Sequence, residues 1–334
     1  MPGRCTPRPS ARWRFALQAL GAGLLTAGVA LVALVPLELH IYTYFAPGGR
    51  FGYPGFAYGS FMFANMAAQI LGYLILATLL IPLGYGYLHL QRWVPVAAGA
   101  LAQVWLVAGL PFLLATLAVF ASSKNPSPAA GIAAAAPLAL AYPALPLAVR
   151  WLHRRPGCRA ALSGDSLAGR WIVERPPAAL ALGILYALLA SVCLVLILLK
   201  GLFPAPGGWL TGLPAVGWLD SCVLGCGALA LEALALKRRA TWAGLVAVSL
   251  LGGAWIAALA GTSWRELLSI LAFPAAEQQM LQGIPLAGWH LALLVSLPLA
   301  LFLGAIVRAA LCMPRPRPGA PANPLPEEYP AGKE

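Results

Sequence analysis

The chain has 334 residues, 60% of them hydrophobic and only 10% charged, with a mean hydropathy of +0.80. A soluble domain carries roughly 25% charged residues, so a water-facing surface cannot be built from this inventory. The same figures exclude disorder, collagen and coiled coil, and six cysteines in 334 residues exclude a disulfide-rich scaffold. What remains is an all-α polytopic membrane protein.

A helix needs about 20 apolar residues to cross a hydrocarbon core of ~30 Å. Eight nearly charge-free runs reach that length: Phe15–Leu37, Ser60–Leu83, Trp93–Phe120, Ala129–Val149, Ala178–Leu199, Val216–Leu236, Thr241–Gly261 and Trp289–Val307. Asp220 and Glu232 fall inside the sixth, but at ~18 Å apart along a helix each reaches one interface. The first run, at about 23 residues, exceeds the 7–15 of a signal-peptide core and reads as a retained helix. The expected organisation is an N-terminal segment (1–14), a four-helix half (15–151), a basic connector (152–177), a second four-helix half (178–312) and a Pro-rich, disordered tail (313–334).

With the N-terminus inside, 18 of the 22 Lys and Arg fall on the inner side, and only Arg50, Lys124, Lys200 and Arg265 lie outside. The inner side then carries the whole net charge of +12, which places both termini in the cytoplasm and the chain in the plasma (inner) membrane. A pI near 9.8 could suggest nucleic acid. These residues border spans instead, where they meet anionic headgroups. The expected partner is the bilayer and, for a membrane subunit, the other chains of its complex; no nucleic acid is expected. Trp13, Trp93, Trp151, Trp171 and Trp242 gather at inner boundaries, and Trp209, Trp218, Trp264 and Trp289 at outer ones, as indole prefers.

Four anchors recur in the same order. Arg12-Trp13 matches Arg170-Trp171, and Ala46-Pro47-Gly48-Gly49 matches Ala205-Pro206-Gly207-Gly208. Trp93 and Trp105 match Trp242 and Trp255, and Val149-Arg150 matches Val307-Arg308. Separations of 149 to 159 residues indicate two parallel four-helix repeats, related by an axis along the membrane normal. This layout resembles haem A synthase in architecture. That family places paired histidines in both halves, whereas spans two, four and six here hold none in their cores, and His89 and His153 lie at inner ends.

No phosphate loop, His-Glu-x-x-His, paired CxxC or Gly-x-Ser-x-Gly is present. Cys222 and Cys226, four apart, read as small packing residues. One candidate site is an outer polar cluster of Glu38, His40, Asp220 and His290, to which Glu266, Glu277, Gln278 and Gln279 could add. Two imidazoles and two carboxylates at similar depth suit a metal or acid–base work, although helix ends at an interface collect polar residues anyway. The other candidate is a midplane set, Asn65, Gln69 and Gln103: either amides bonded across helices or part of a substrate path. No ionisable residue sits at mid-membrane, which disfavours a proton relay.

Several loops and breaks have expected shapes. Pro111, Pro137, Pro143, Pro146 and Pro298 should kink spans three, four and eight. The aromatic loop Ile41–Tyr58 should fold onto the interface as a plug or cap. In the long loop Thr262–Gly288, residues Trp264, Leu267, Leu268 and Leu271 describe a short amphipathic helix, an interfacial anchor or a lid. Because this loop breaks the repeat, any ligand site is expected to open outward near His290.

Two functions follow from different classes. The first is a transporter or permease, or the membrane subunit of a larger complex, handling a small apolar or amphiphilic molecule. The alternative is an outer-face membrane enzyme or a cofactor-binding (haem or metal) protein using Glu38, His40, Asp220 and His290. The residues assign no cofactor and no metal-ligand set. The topology is tested by reporter fusions: reporters on either terminus should report the cytoplasm, and an external signal from either would contradict the charge count.

Overall fold

The computed structural model describes residues 11–121, 128–164, 167–205, 208–271, 275–283 and 287–313. Thirteen α-helices appear among them: α1 (Ala11–Phe45), α2 (Phe61–Leu88), α3 (Val94–Ala121), α4 (Pro128–Ala139), α5 (Leu145–Arg154), α6 (Pro156–Ala161), α7 (Leu167–Val173), α8 (Pro177–Leu198), α9 (Leu213–Leu234), α10 (Arg238–Gly261), α11 (Trp264–Ile270), α12 (Ala275–Gln282) and α13 (Gly288–Cys312). Seven helical segments, with α4 and α5 running together as one, are long and apolar enough to cross a membrane, and α3 is apolar over Val94–Leu110. The chain is a multi-pass integral membrane protein.

The all-α expectation needs one amendment. Strands β1 (Leu202–Ala205) and β2 (Gly208–Thr211) pair antiparallel between α8 and α9, with Leu202 opposite Thr211 and Ala205 opposite Gly208. A second difference is length. At 35 residues, α1 is about 52 Å long and outruns the hydrocarbon core, so Glu38 and His40 lie within the helix rather than at its end.

Helices pack in pairs: α1 most extensively on α2, α8 on α9, and α10 on α13. In the first pair Gly21 and Gly84 face each other so closely that a Cβ at Gly84 would lie 2.6 Å from the Leu25 nitrogen. Small residues allow such approach where lipid supplies no hydrophobic drive between helices. The pairs are joined by α3, which packs against α5, α8 and α13. Around it lies a core of Ala100, Val104, Ala181, Leu182, Tyr186, Ile306 and Ala309.

Helix ends on the basic face are closed without glycine. Leu90 after α2 and Leu236 after α9 take positive φ, at a cost of roughly 1–2 kcal/mol each. That turn lets the Gln91 and Lys237 N–H groups reach the Gly86 and Glu232 carbonyls, which would otherwise be orphaned. Arg175 Nε donates to the Leu234 carbonyl (2.7 Å), adding a cation at the negative end of α9. In the connector, Cys158 on α6 is fully buried against Leu17 and Tyr87. Burial pushes its thiol up, with the Arg159 charge opposing.

The loops on the opposite face fold back on the bundle. Phe45 stacks on Phe51 at 5.1 Å and meets Phe56 at a tilt at 5.7 Å, and Tyr58 meets Phe63 of α2, so the aromatic loop caps the α1–α2 pair. Helix α11 starts where Ser263 Oγ accepts from the Glu266 N–H (3.2 Å), a side-chain N-cap. Its Leu267 and Leu268 are buried, and Leu267 packs with Leu259, Ala292 and Trp209. Trp209 Nε1 donates to Thr262 Oγ1 (2.7 Å), tying β2 to the same corner.

The proline break between α4 and α5 is the best-defined kink. Residues Leu140–Ala144 form a π segment in which the Leu145 N–H reaches the Leu140 carbonyl. Continuing that spacing, residue 146 should bond the Ala141 carbonyl, but proline has no N–H. Trp105 Nε1 of α3 donates to that carbonyl instead, at 2.8 Å. Trp105→Phe should therefore lower stability by roughly 1–3 kcal/mol, the cost of a buried unpaired carbonyl. Detergent unfolding midpoints measure it. In a Pro146→Ala background, where an N–H is restored, the loss should shrink; an equal loss would refute this accounting.

Candidate functional site

The face that the charge count puts outside holds the first candidate cluster. Glu38 is half-buried on α1, where its Oε1 accepts from the Tyr73 hydroxyl at 3.3 Å. His40 is exposed and packs edge-on against Tyr44 (4.9 Å), and Asp220 is exposed on α9. His290 lies under the Trp289 ring, and its Nδ1 accepts from the Ala287 N–H at 3.0 Å, capping α13. Helices α1, α9 and α13 do not pack extensively on one another. Among the described residues no three His, Cys, Asp or Glu side chains form a group able to hold a metal ion. A cavity of about 480 Å³ on this face is lined by Gly59, Lys200 and Ser269 rather than by those four residues.

The midplane amides divide. Asn65 and Gln69 are exposed on α2, and among the described residues no hydrogen bond joins them to Gln103. Gln103 lines a cavity of about 380 Å³ at the basic face.

That basic cavity sits where α3, α5, α8 and α13 come together. Its walls come from the start of α3 (Pro95, Val96, Gly99), the end of α5 (Arg150, His153, Arg154), the start of α8 (Pro176, Pro177, Ala178) and the end of α13 (Arg308, Cys312), with Arg159 at α6. His153 anchors one wall. Its Nδ1 lies 2.8 Å from the Val149 carbonyl and its Nε2 2.8 Å from the Tyr87 hydroxyl. A carbonyl only accepts, so Nδ1 carries the proton, and Nε2 accepts from Tyr87.

Two apolar cavities lie further along the helices. One, of about 370 Å³, is walled by α3, α8, α10 and α13 and is open on one side. It follows the basic cavity along α3 and α8, and the buried Val104, Leu182 and Ile306 fall between the two. The other, of about 520 Å³, lies among α1, α2, α3 and α5. Their linings correspond. Ala98, Leu101, Ala102 and Trp105 in one match Val248, Leu251, Gly252 and Trp255 in the other, each 150 residues on. Ala27, Ala30, Leu31 and Leu34 likewise match Leu185, Leu188, Leu189 and Val192, 158 residues on.

The cavities were not legible as such in the sequence, since apolar positions on eight helices look alike until their neighbours are known. The arginines of the basic cavity were visible, but positive-inside bias explains arginines on that face without any site. The one signal available was the recurrence of Val-Arg, as Val149-Arg150 and Val307-Arg308. No protein-family model, curated protein or solved structure matches this chain, so the architectural resemblance to haem A synthase gains no support from a shared fold.

His290 and Asp220 should separate on mutation. Loss of the His290 cap in His290→Ala should lower stability by about 0.5–2 kcal/mol, whereas exposed Asp220→Ala should change it by less than about 0.5 kcal/mol. Unfolding midpoints of the two variants check this, and an equal loss would contradict the capping role.

Proposed function

We propose that the protein is a transport protein, or the membrane subunit of a larger assembly, that handles a small apolar or amphiphilic molecule in the cleft between two parallel four-helix halves. It crosses the plasma (inner) membrane eight times with both termini in the cytoplasm. The observation that carries the reading is the apolar cavity enclosed by α3 of the first half and α8, α10 and α13 of the second. The matched linings of the two apolar cavities and the like pairing of α1 with α2 and α8 with α9 support the repeat. The cleft offers apolar contact, and the arginines at its basic end offer charge. That combination suits an amphiphile better than a hydrophilic solute, whose buried polar groups would go unpaired.

Flux of a fluorescently labelled phospholipid across reconstituted vesicles tests this. Wild-type protein should accelerate exchange between leaflets. Ala108→Phe places a ring in the cavity, where the free volume spares it the usual overpacking penalty, and should slow exchange at least about ten-fold, or ~1.4 kcal/mol of barrier. Vesicles without accelerated exchange, or an Ala108→Phe variant as fast as wild type, would overturn the reading. Stoichiometric haem or metal in the purified protein would instead favour the outer-face cofactor protein built on Glu38, His40, Asp220 and His290.

A further inference from the structure

We propose that the basic cavity is an anion site that takes a phosphate group, either free or as the headgroup of a lipid. Four arginines line it: Arg150, Arg154, Arg159 and Arg308. Among the described residues no carboxylate pairs with any of them; Lys237 with Glu232 is the ion pair found there. Arg150, Arg154 and Arg308 line one cavity with no carboxylate among its walls, so their like charges repel until an anion enters.

Nearby arginines are used differently. Arg155 lies over the Trp151 ring at 3.9 Å, and Arg175 lies over Trp171 at 3.7 Å while donating to the Leu234 carbonyl. Those two are structural. Among the described residues, Arg159 of the cavity four donates through Nε alone, to the His153 carbonyl at 3.0 Å, which leaves its terminal nitrogens for a ligand. A guanidinium fork matches phosphate oxygens in a way that a single ammonium does not.

Helix placement adds to the field. The first turns of α3 and α8, helices of 28 and 22 residues, both line the cavity. Each presents the positive end of its dipole there, and both ends favour an anion. Arg150 and Arg308 reach the cavity from matching points, each following a valine at the end of its half. One anion bridging them would neutralise a charge from each half.

The inference does not depend on transport, because a static lipid clamp would use the same site. The test is equilibrium binding to full-length protein in a neutral detergent. Native mass spectrometry would count bound phosphatidic acid against phosphatidylcholine, and calorimetry would follow inorganic pyrophosphate. Wild-type protein should hold at least one of the two anionic probes. Arg150→Gln and Arg308→Gln should each weaken it roughly ten-fold or more, while Arg155→Gln binds as wild type. Binding of phosphatidic acid alone identifies a lipid headgroup, and binding of pyrophosphate identifies a free anion; either supports the site. Arg308 is exposed, so Arg308→Gln keeps the test decisive even if Arg150→Gln fails to fold. Absence of both anions from wild type, unchanged binding in Arg308→Gln, or an equal loss in Arg155→Gln would overturn it. The readout is separate from flux, so either proposal can fail alone.

Discussion

The contact of α3 with α8 and α13 governs everything above the level of a helix pair. Lipid tails are as apolar as leucine, so helices gain little by hiding side chains from them, and association rests on close packing. Small residues supply it here: Ala100 on α3, Ala178 and Ala181 on α8, and Ala309 on α13 are all buried in one core. Both the basic cavity and the apolar cleft are walled by the same three helices. A bulky substitution at this seam would remove the cavities along with the contact.

The second constraint is that no water is present in the hydrocarbon to satisfy a stray carbonyl. The chain meets it locally. Helix ends on the basic face turn through positive φ at leucine, and Arg175 reaches the last turn of α9. Where prolines interrupt the fourth span, a tryptophan from the neighbouring helix takes the freed carbonyl. The kink and the α3–α5 contact are thus one feature, and the groove beside Trp105 is its geometric result.

Much of the architecture was written in hydropathy. The run Phe15–Leu37 lies inside α1, and Trp264, Leu267 and Leu268 do fall on a short helix capped by Ser263. Other features depend on partners that periodicity cannot name. The extension of α1 to Phe45 follows from aromatic packing with Phe51 and Phe56. The hairpin needs Leu202–Ala205 to pair with Gly208–Thr211, and segments of four residues are too short for periodicity to announce. Gln69 and Gln103 share a depth by counting, yet the rotation of α2 leaves Gln69 exposed while Gln103 faces a cavity. The arginines show the same limit most clearly. Counting them gives an expected orientation, but only the fold separates Arg155, spent on Trp151, from Arg150, which has no such partner among the described residues.

The seam can be tested directly by covalent capture. A Cβ built on Gly99 of α3 lies 3.7 Å from Cβ of Pro177 at the start of α8, close to the ~3.8 Å mean separation in disulfides. Gly99→Cys with Pro177→Cys, oxidised in native membranes and mapped by mass spectrometry, should give one linked peptide joining α3 to the start of α8. A pair that stays reduced while the protein remains folded would show that α3 and α8 do not meet at this register, and the cleft and the basic cavity would fall with it.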